Sequence, residues 1–145
     1  MNLFGVLDIN GSALTAQRQR AEIVAANLAN AETTRTPEGG PYRRQHVVFG
    51  ARRLRSGFAR MLAGFSDASA RGVRVERVLA DGAPAVRRFE PAHPDADAEG
   101  YVSFPAINPI EEMVNLMGAA RAYQLNVSAT NATKSMIVET LEILR

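Results

Sequence analysis

The sequence predicts an α+β fold, mainly α. Long N- and C-terminal helices pair as an antiparallel coiled coil, with a small β-rich central insert. Three observations carry this. From Met113 the last third of the chain steps by threes and fours through Leu116, Ala120, Tyr123, Val127, Thr130, Lys134, Ile137, Leu141 and Leu144. That is the seam of a helix built to lie against another helix. The other end repeats the spacing in Leu3, Leu7, Asn10, Leu14, Gln17, Ala21, Val24 and Leu28. Between them, Gly72 to Leu79 alternates apolar and charged residues, the period of a half-buried strand. The division that follows is 1–32 as N-terminal helix, 33–108 as a small β-rich and loop domain, and 109–145 as C-terminal helix.

Composition bounds the chemistry. A chain of 145 residues that is 46% hydrophobic suits one folded domain. There is no Cys, which excludes disulfides and thiolate chemistry. The start, Met-Asn-Leu-Phe-Gly-Val-Leu-Asp, lacks the basic segment and apolar run of a cleavable signal peptide, and no stretch is apolar enough for stable membrane insertion. The net charge of +2 hides an asymmetry. Residues 33–89 carry twelve Arg against four acids, and residues 90–112 carry six acids and no base. The helical ends are near neutral.

In chain order, the first helix runs from Leu3 to about Asn30. Alternatively, Ser12 or Asn10 caps a helix that starts after Gly11. Both seams contain small or polar members, so each helix is marginal alone. They form an ordinary intramolecular hairpin or surfaces that neighbours complete. Thr36 to Pro41 is dense in turn residues. Tyr42 to Phe49 reads as a strand ended by Gly50, and Ala51 to Ala63 has no clear element. Asp81-Gly82 marks a turn, and Ala85 to Phe89 is a weaker strand in a small antiparallel sheet. Glu90 to Gly100, with two prolines, is no regular element. Tyr101 to Phe104 is a short strand. Asn108 caps the last helix, Pro109 takes its first position, and Glu111 and Glu112 complement its dipole.

The candidate chemistries are weak. His93, Asp95 and Asp97 have the look of a ligand cluster, but no second cluster converges on them, so no metal is expected. His46 has no companion Ser in an elbow, and no glycine loop of phosphate-binding type is present. No cofactor and no small-molecule substrate are expected. The Arg-rich middle admits a nucleic-acid or anionic-partner module as the alternative function. Against nucleic acid stand the near absence of Lys and the thin aromatic interleaving. Arg also suits carboxylate pairing at protein contacts, and the acidic stretch 90–112 is its complement within one subunit or between neighbours.

Several strings resemble one family. Ser12 to Arg18, followed by Ala25 to Thr33, is similar to the N-terminal signature of the bacterial flagellar rod and hook axial proteins. Glu112 to Met117, then Ala120 to Asn126, is similar to their C-terminal signature. Gly39 to Arg44 and His93 to Val102 resemble the proximal-rod members. The chain departs from them at Pro105-Ala106-Ile107-Asn108, where the family has Pro-Asn-Val, and Arg52 to Gly82 matches nothing in the family.

The resemblance implies a structural subunit and no enzyme. Its terminal helices line a hollow, torque-transmitting rod of the basal body, which spans the periplasm, and the β-rich part sits outside. Its partners are other rod subunits, itself, and the flagellar type III export apparatus, which exports it without a cleaved signal. Leu14, Asn27, Leu28, Asn30, Thr33, Met113, Val114, Arg121, Tyr123 and Asn126 match the family patterns. With Leu7, Val24, Leu116, Met117, Ala120, Val127, Ile137, Leu141 and Leu144, they make up the expected assembly interface. The polar members Asn27, Asn30, Arg121 and Asn126 are expected to serve contacts between subunits.

Overall fold

The computed structural model describes residues 3–53 and 71–143. Two long helices and two small antiparallel sheets make an α+β fold that is mainly helical. The expectations for Ala51 to Ala63 beyond residue 53, and for Leu144, lie outside the described residues.

Helix α1 (Leu3–Ala29) is continuous through Gly11. The alternative start after Gly11 is therefore replaced by a start at Leu3. Ser12 caps nothing: its hydroxyl donates to the Ile9 carbonyl at 2.7 Å and accepts the Val73 N–H at 3.0 Å. It thereby ties the helix to a strand 61 residues away in the chain. At the C-terminal end the Asn30 side-chain amide donates to the Ala26 carbonyl at 2.9 Å, which also accepts the Asn30 N–H at 3.0 Å, and it accepts the Thr33 hydroxyl at 3.1 Å. The predicted turn follows, closed by Gly39 N–H on the Thr36 carbonyl and Thr36 N–H on the Gly40 carbonyl.

Strands β1 (Gln45–Arg53) and β2 (Arg71–Ala80) pair antiparallel against α1. The expected strand Tyr42–Phe49 is corrected at both ends: β1 starts at Gln45 and runs through Gly50. A β-bulge explains why Gly50 does not end it. Val48 pairs with Arg77 and Phe49 with Val75, which leaves Glu76 as the extra residue. A Cβ at position 50 would stand 2.5 Å from the Glu76 carboxylate and 3.2 Å from its Cβ, so a larger residue there would have to displace the Glu76 side chain.

Strand β3 (Val86–Phe89) pairs with β4 (Tyr101–Phe104) in a separate sheet. β3 is exposed throughout, whereas β4 turns Val102 and Phe104 inward. The Glu90–Gly100 loop between them is ordered by its own hydrogen bonds. Glu90 N–H reaches the Gly100 carbonyl at 2.9 Å, and Asp97 Oδ1 accepts the N–H groups of Glu99 and Tyr101. The Tyr101 bond is the main reason the Asp97 carboxyl is held below the usual aspartate range, with Arg87 assisting.

Helix α2 (Pro109–Ile143) starts as the sequence predicts. The Asn108 side chain accepts the Ile110 N–H at 3.0 Å, with Pro109 between them. Its packing face differs from the expected seam. The line turned inward is Glu112, Leu116, Ala119, Ala122, Asn126, Thr130, Thr133 and Ile137. For most of its length it is rotated by one residue from Met113, Ala120, Tyr123, Val127 and Lys134, all of which are exposed. The polar members of the inward line are satisfied inside the helix. Asn126, Thr130 and Thr133 donate to the carbonyls four residues before them at 2.8–2.9 Å.

The most extensive contact in the molecule is between α1 and α2, with the last turn of α1 against the first turn of α2. Among the described residues, the fully buried apolar side chains are few: Ala16, Val24, Val102, Phe104 and Ala119, with Pro105 beside them.

Gly100 tests the loop. Its φ is +80°, and a Cβ there would lie 2.9 Å from the Phe89 ring. Gly100→Ala is expected to cost about 1–3 kcal/mol in urea unfolding. Amide exchange should rise at Glu90 and Tyr101 while the helices stay protected.

Candidate assembly surface and its buried anchor

The site grows from three sequence positions that meet where α1 ends, β1 begins and α2 starts. Asn27 and Glu112 are each only 1% exposed. Asn27 lies on the inner face of the last turn of α1. Its Nδ2 donates to the Gln45 carbonyl at 2.9 Å and to Glu112 Oε2 at 3.0 Å. Its Oδ1 accepts the Gln45 N–H at 2.9 Å and the Tyr42 hydroxyl at 3.1 Å. Both donors and both acceptor positions of the amide are therefore used. Toward Gln45 the side chain acts as a strand partner, exchanging N–H and C=O bonds with the first residue of β1.

Glu112 is held by more than Asn27. Arg44 Nη2 donates to Oε1, and Asn115 Nδ2 approaches the same oxygen at 3.4 Å. Burial by itself raises the carboxyl pKa. The hydrogen bonds from Asn27 and Arg44, the Arg44 charge and Asn115 reverse this, so the net value lies below the ordinary 4.5. Tyr42 is pushed above 10.0, first by burial and then by the Glu112 charge. Glu112 stands in the first turn as expected and is in addition a buried partner of Arg44, whereas Glu111 beside it is exposed.

The expected interface residues separate into groups. Leu7, Leu14 and Leu28 are half-buried on α1 and Val24 is buried. Asn27, Asn30, Thr33 and Asn126 have their side chains engaged in hydrogen bonds within the chain. Leu116 and Ile137 are half-buried. The remaining described ones, Met113, Val114, Met117, Ala120, Arg121, Tyr123, Val127 and Leu141, are exposed. Ile110, Val114, Met117, Arg121 and Leu125 follow one another at steps of three and four on the face opposite the inward line. Met117 is 64% exposed and Leu125 65%. Ile110 and Leu125 were not among the expected interface residues. No helix among the described residues is long and apolar enough to cross a membrane.

The ligand-like residues of the sequence serve the loops. The Asp95 N–H donates to His93 Nδ1, and its carboxylate accepts the Thr34 hydroxyl at 2.8 Å. Arg35 pairs with Asp95, and Arg87 with Asp97 and Glu99. Together with Arg44–Glu112, these join the basic middle to the acidic stretch within one subunit.

Two family models match the chain. "Flagella basal body rod protein" covers residues 7–35, and "Flagellar basal body rod FlgEFG protein C-terminal" covers residues 98–143. Both matches fall on the helical ends and the segments next to them, and they define a structural protein of the flagellar rod class.

Similarity to individual proteins extends over the full length. The flagellar basal-body rod protein FlgC of Borreliella burgdorferi is 40% identical over 152 residues, covering 100% of this chain and 99% of the relative. That of Escherichia coli O157:H7 is 43% identical over 143 residues, covering 99% and 98%. That of Bacillus subtilis is 40% identical over 149 residues, covering 99% of each. The chain belongs to the FlgC family of flagellar basal-body rod proteins. It is a structural subunit of the rod and not an enzyme.

Arg44→Ala leaves the Glu112 carboxylate buried without its cation, so a loss of about 3–5 kcal/mol is expected in urea unfolding. The wild-type pH profile follows from the lowered Glu112 pKa. Its contribution is complete above the unfolded value of 4.5 and is lost as pH falls through the lower folded value. Glu112→Gln should lower stability at pH 7 and make the acid limb shallower. Some slope should remain, because Asp81 and Asp97 are also lowered.

Proposed function

We propose that this subunit builds the rod through its terminal helices, pairing them antiparallel as a coiled coil and packing the outward face of α2 against neighbouring subunits. Segments 1–32 and 109–145 then form the shaft, and 33–108 forms an outer domain. The assembled rod is hollow, spans the periplasm and transmits torque. The subunit reaches it through the flagellar type III export apparatus without a cleaved signal.

One observation carries this reading: α2 presents apolar side chains outward as well as toward α1. Toward α1 it turns Leu116, Ala119, Ala122 and Ile137 among Glu112, Asn126, Thr130 and Thr133, and toward solvent Ile110, Val114, Met117 and Leu125 beside Arg121. Hydrophobicity spread around a whole helix marks one that is buried on all sides in its working state. Past Leu125 the outward line continues as Ser128, Ala132 and Ser135, small residues that let a neighbouring backbone approach.

The helix pair alone is weakly held. Among the described residues, Asn10 Nδ2 and Gln17 Oε1 on α1 are buried without a hydrogen-bond partner, at about 1–3 kcal/mol each. A subunit so poorly consolidated unfolds easily for passage through a narrow export channel. It regains stability when neighbours cover it.

The test is complementation of a rod-deficient strain with Met117→Asp and Leu125→Asp. Both sites are exposed in the free subunit, so its unfolding free energy should change by no more than about 0.5 kcal/mol. Swimming and rod formation should be lost. Normal swimming by both correctly folded variants overturns the reading.

A further inference from the structure

The Arg-rich middle of the chain is only partly neutralised by the acidic stretch. Among the described residues, Arg52, Arg74 and Arg77 on the β1–β2 hairpin are exposed and have no ion-pair partner. The strand register brings them into one row. Val47, Phe49, Val73 and Val75 line the spaces between the hairpin and α1, so the residues that alternate with them belong to the opposite face. These are Val48, Gly50 and Arg52 on β1, and their partners Arg77, Arg74 and Gly72 on β2. Arg77, Arg74 and Arg52 thus occupy successive rungs, two β1 residues apart, at about 6.7 Å per rung. Val48 and Leu79 are the apolar part of this face, and Leu79 is 45% exposed. Two acids border the row. Glu76, the bulge residue, folds its carboxylate over Gly50, and Asp8 lines the same cleft beside α1 as Arg52 and Arg74. Among the described residues neither forms an ion pair.

A row of this repeat fits a particular partner. In an extended polypeptide every second side chain lies on the same side, again about 6.7 Å apart. Carboxylates at alternate residues therefore meet one guanidinium each, and the planar fork of Arg suits a carboxylate. Each exposed pair contributes little by itself, so affinity needs the whole row. Single-stranded nucleic acid would call for aromatic side chains among the cations, and this face has Val48, Leu79 and His46 instead. We propose that the outer face of the hairpin docks an extended acidic segment of another protein, with carboxylates at every second residue. The segment is not the chain's own. Its one run of that spacing, Asp95, Asp97 and Glu99, is folded into a loop and already paired with Arg35 and Arg87. The contact uses none of the outward residues of α2, so it stands apart from the rod reading.

The test uses the full chain and two eight-residue probe peptides of equal charge, one alternating Glu and Thr, the other with its Glu residues in one block. In fluorescence polarisation at low salt the alternating peptide should bind about tenfold more tightly. Raising the salt from about 0.05 M to about 0.5 M should abolish its binding. Equal affinity for the two peptides, or binding that ignores salt, overturns the proposal. Arg74→Glu combined with Arg77→Glu should weaken binding of the alternating peptide by about tenfold or more; unchanged affinity in the folded double variant overturns it. Glu76→Gln removes the acid folded over the row and should tighten binding about threefold. A folded Glu76→Gln protein that binds no more tightly than wild type overturns the proposal even where the arginine variants fail to fold. Tighter binding of an eight-nucleotide oligothymidylate than of the alternating peptide overturns it in favour of nucleic acid.

Discussion

The fold depends on one buried carboxylate. A charge as enclosed as Glu112 is tolerated only when its oxygens are bonded and a cation stands beside it. Arg44 supplies the cation and Asn27 the neutral donor. Their positions define the geometry of the subunit: Asn27 belongs to the last turn of α1, Arg44 precedes β1, and Glu112 lies in the first turn of α2. Any relative shift of these elements strands a charge or an amide. The knot contributes more to the uniqueness of the arrangement than to its stability, since a well-packed apolar replacement is often as stable as a buried ion pair.

The same accounting explains the charge asymmetry of the chain. The acidic stretch after residue 89 is a set of partners for arginines that come earlier. Arg44 finds Glu112, Arg35 finds Asp95, and Arg87 finds Asp97 and Glu99. Only the first of these pairs is buried. The exposed ones contribute little free energy each, yet they hold the Glu90–Gly100 loop in register with the chain that leaves α1. Among the described residues Arg43, Arg52, Arg74 and Arg77, on and beside the β1–β2 hairpin, stay outside any ion pair, as do Arg20, Arg88, Arg121 and Lys134 elsewhere.

What was legible in the sequence follows from which signals were local. The α1 seam, the Asn108-Pro109 start of α2, the four strands and the mainly helical α+β class all express local propensity or periodicity. The rotation of α2 was not local. Stepping by threes and fours from Met113 selected Ala120, Val127 and Lys134, each one residue beyond the line that faces α1. A weaker signal pointed correctly: Glu112, Ala119, Asn126 and Thr133 recur every seven residues. A heptad of small and polar residues is easily passed over beside Met, Leu and Val. Glu112 was hidden for a similar reason, because an acid in the first turn of a helix already has an explanation in the dipole. The long-range bonds of Asn27 left no local trace at all.

The apolar side chains that α2 leaves outside have a further consequence. A helix pair optimised as an isolated hairpin would place Met117 and Leu125 inward, where each buried apolar side chain contributes about 1.5–3 kcal/mol. Here those side chains face out, and the inward line is held by Leu116, Ala119, Ala122 and Ile137, by threonines bonded to their own helix, and by the Glu112 knot at one end. The knot therefore orients α2 without consolidating it. Orientation is what an assembling subunit needs before it meets its neighbours, because it presents the apolar line already aimed outward. On the proposed assembly, covering that line adds to the stability of the subunit by mass action.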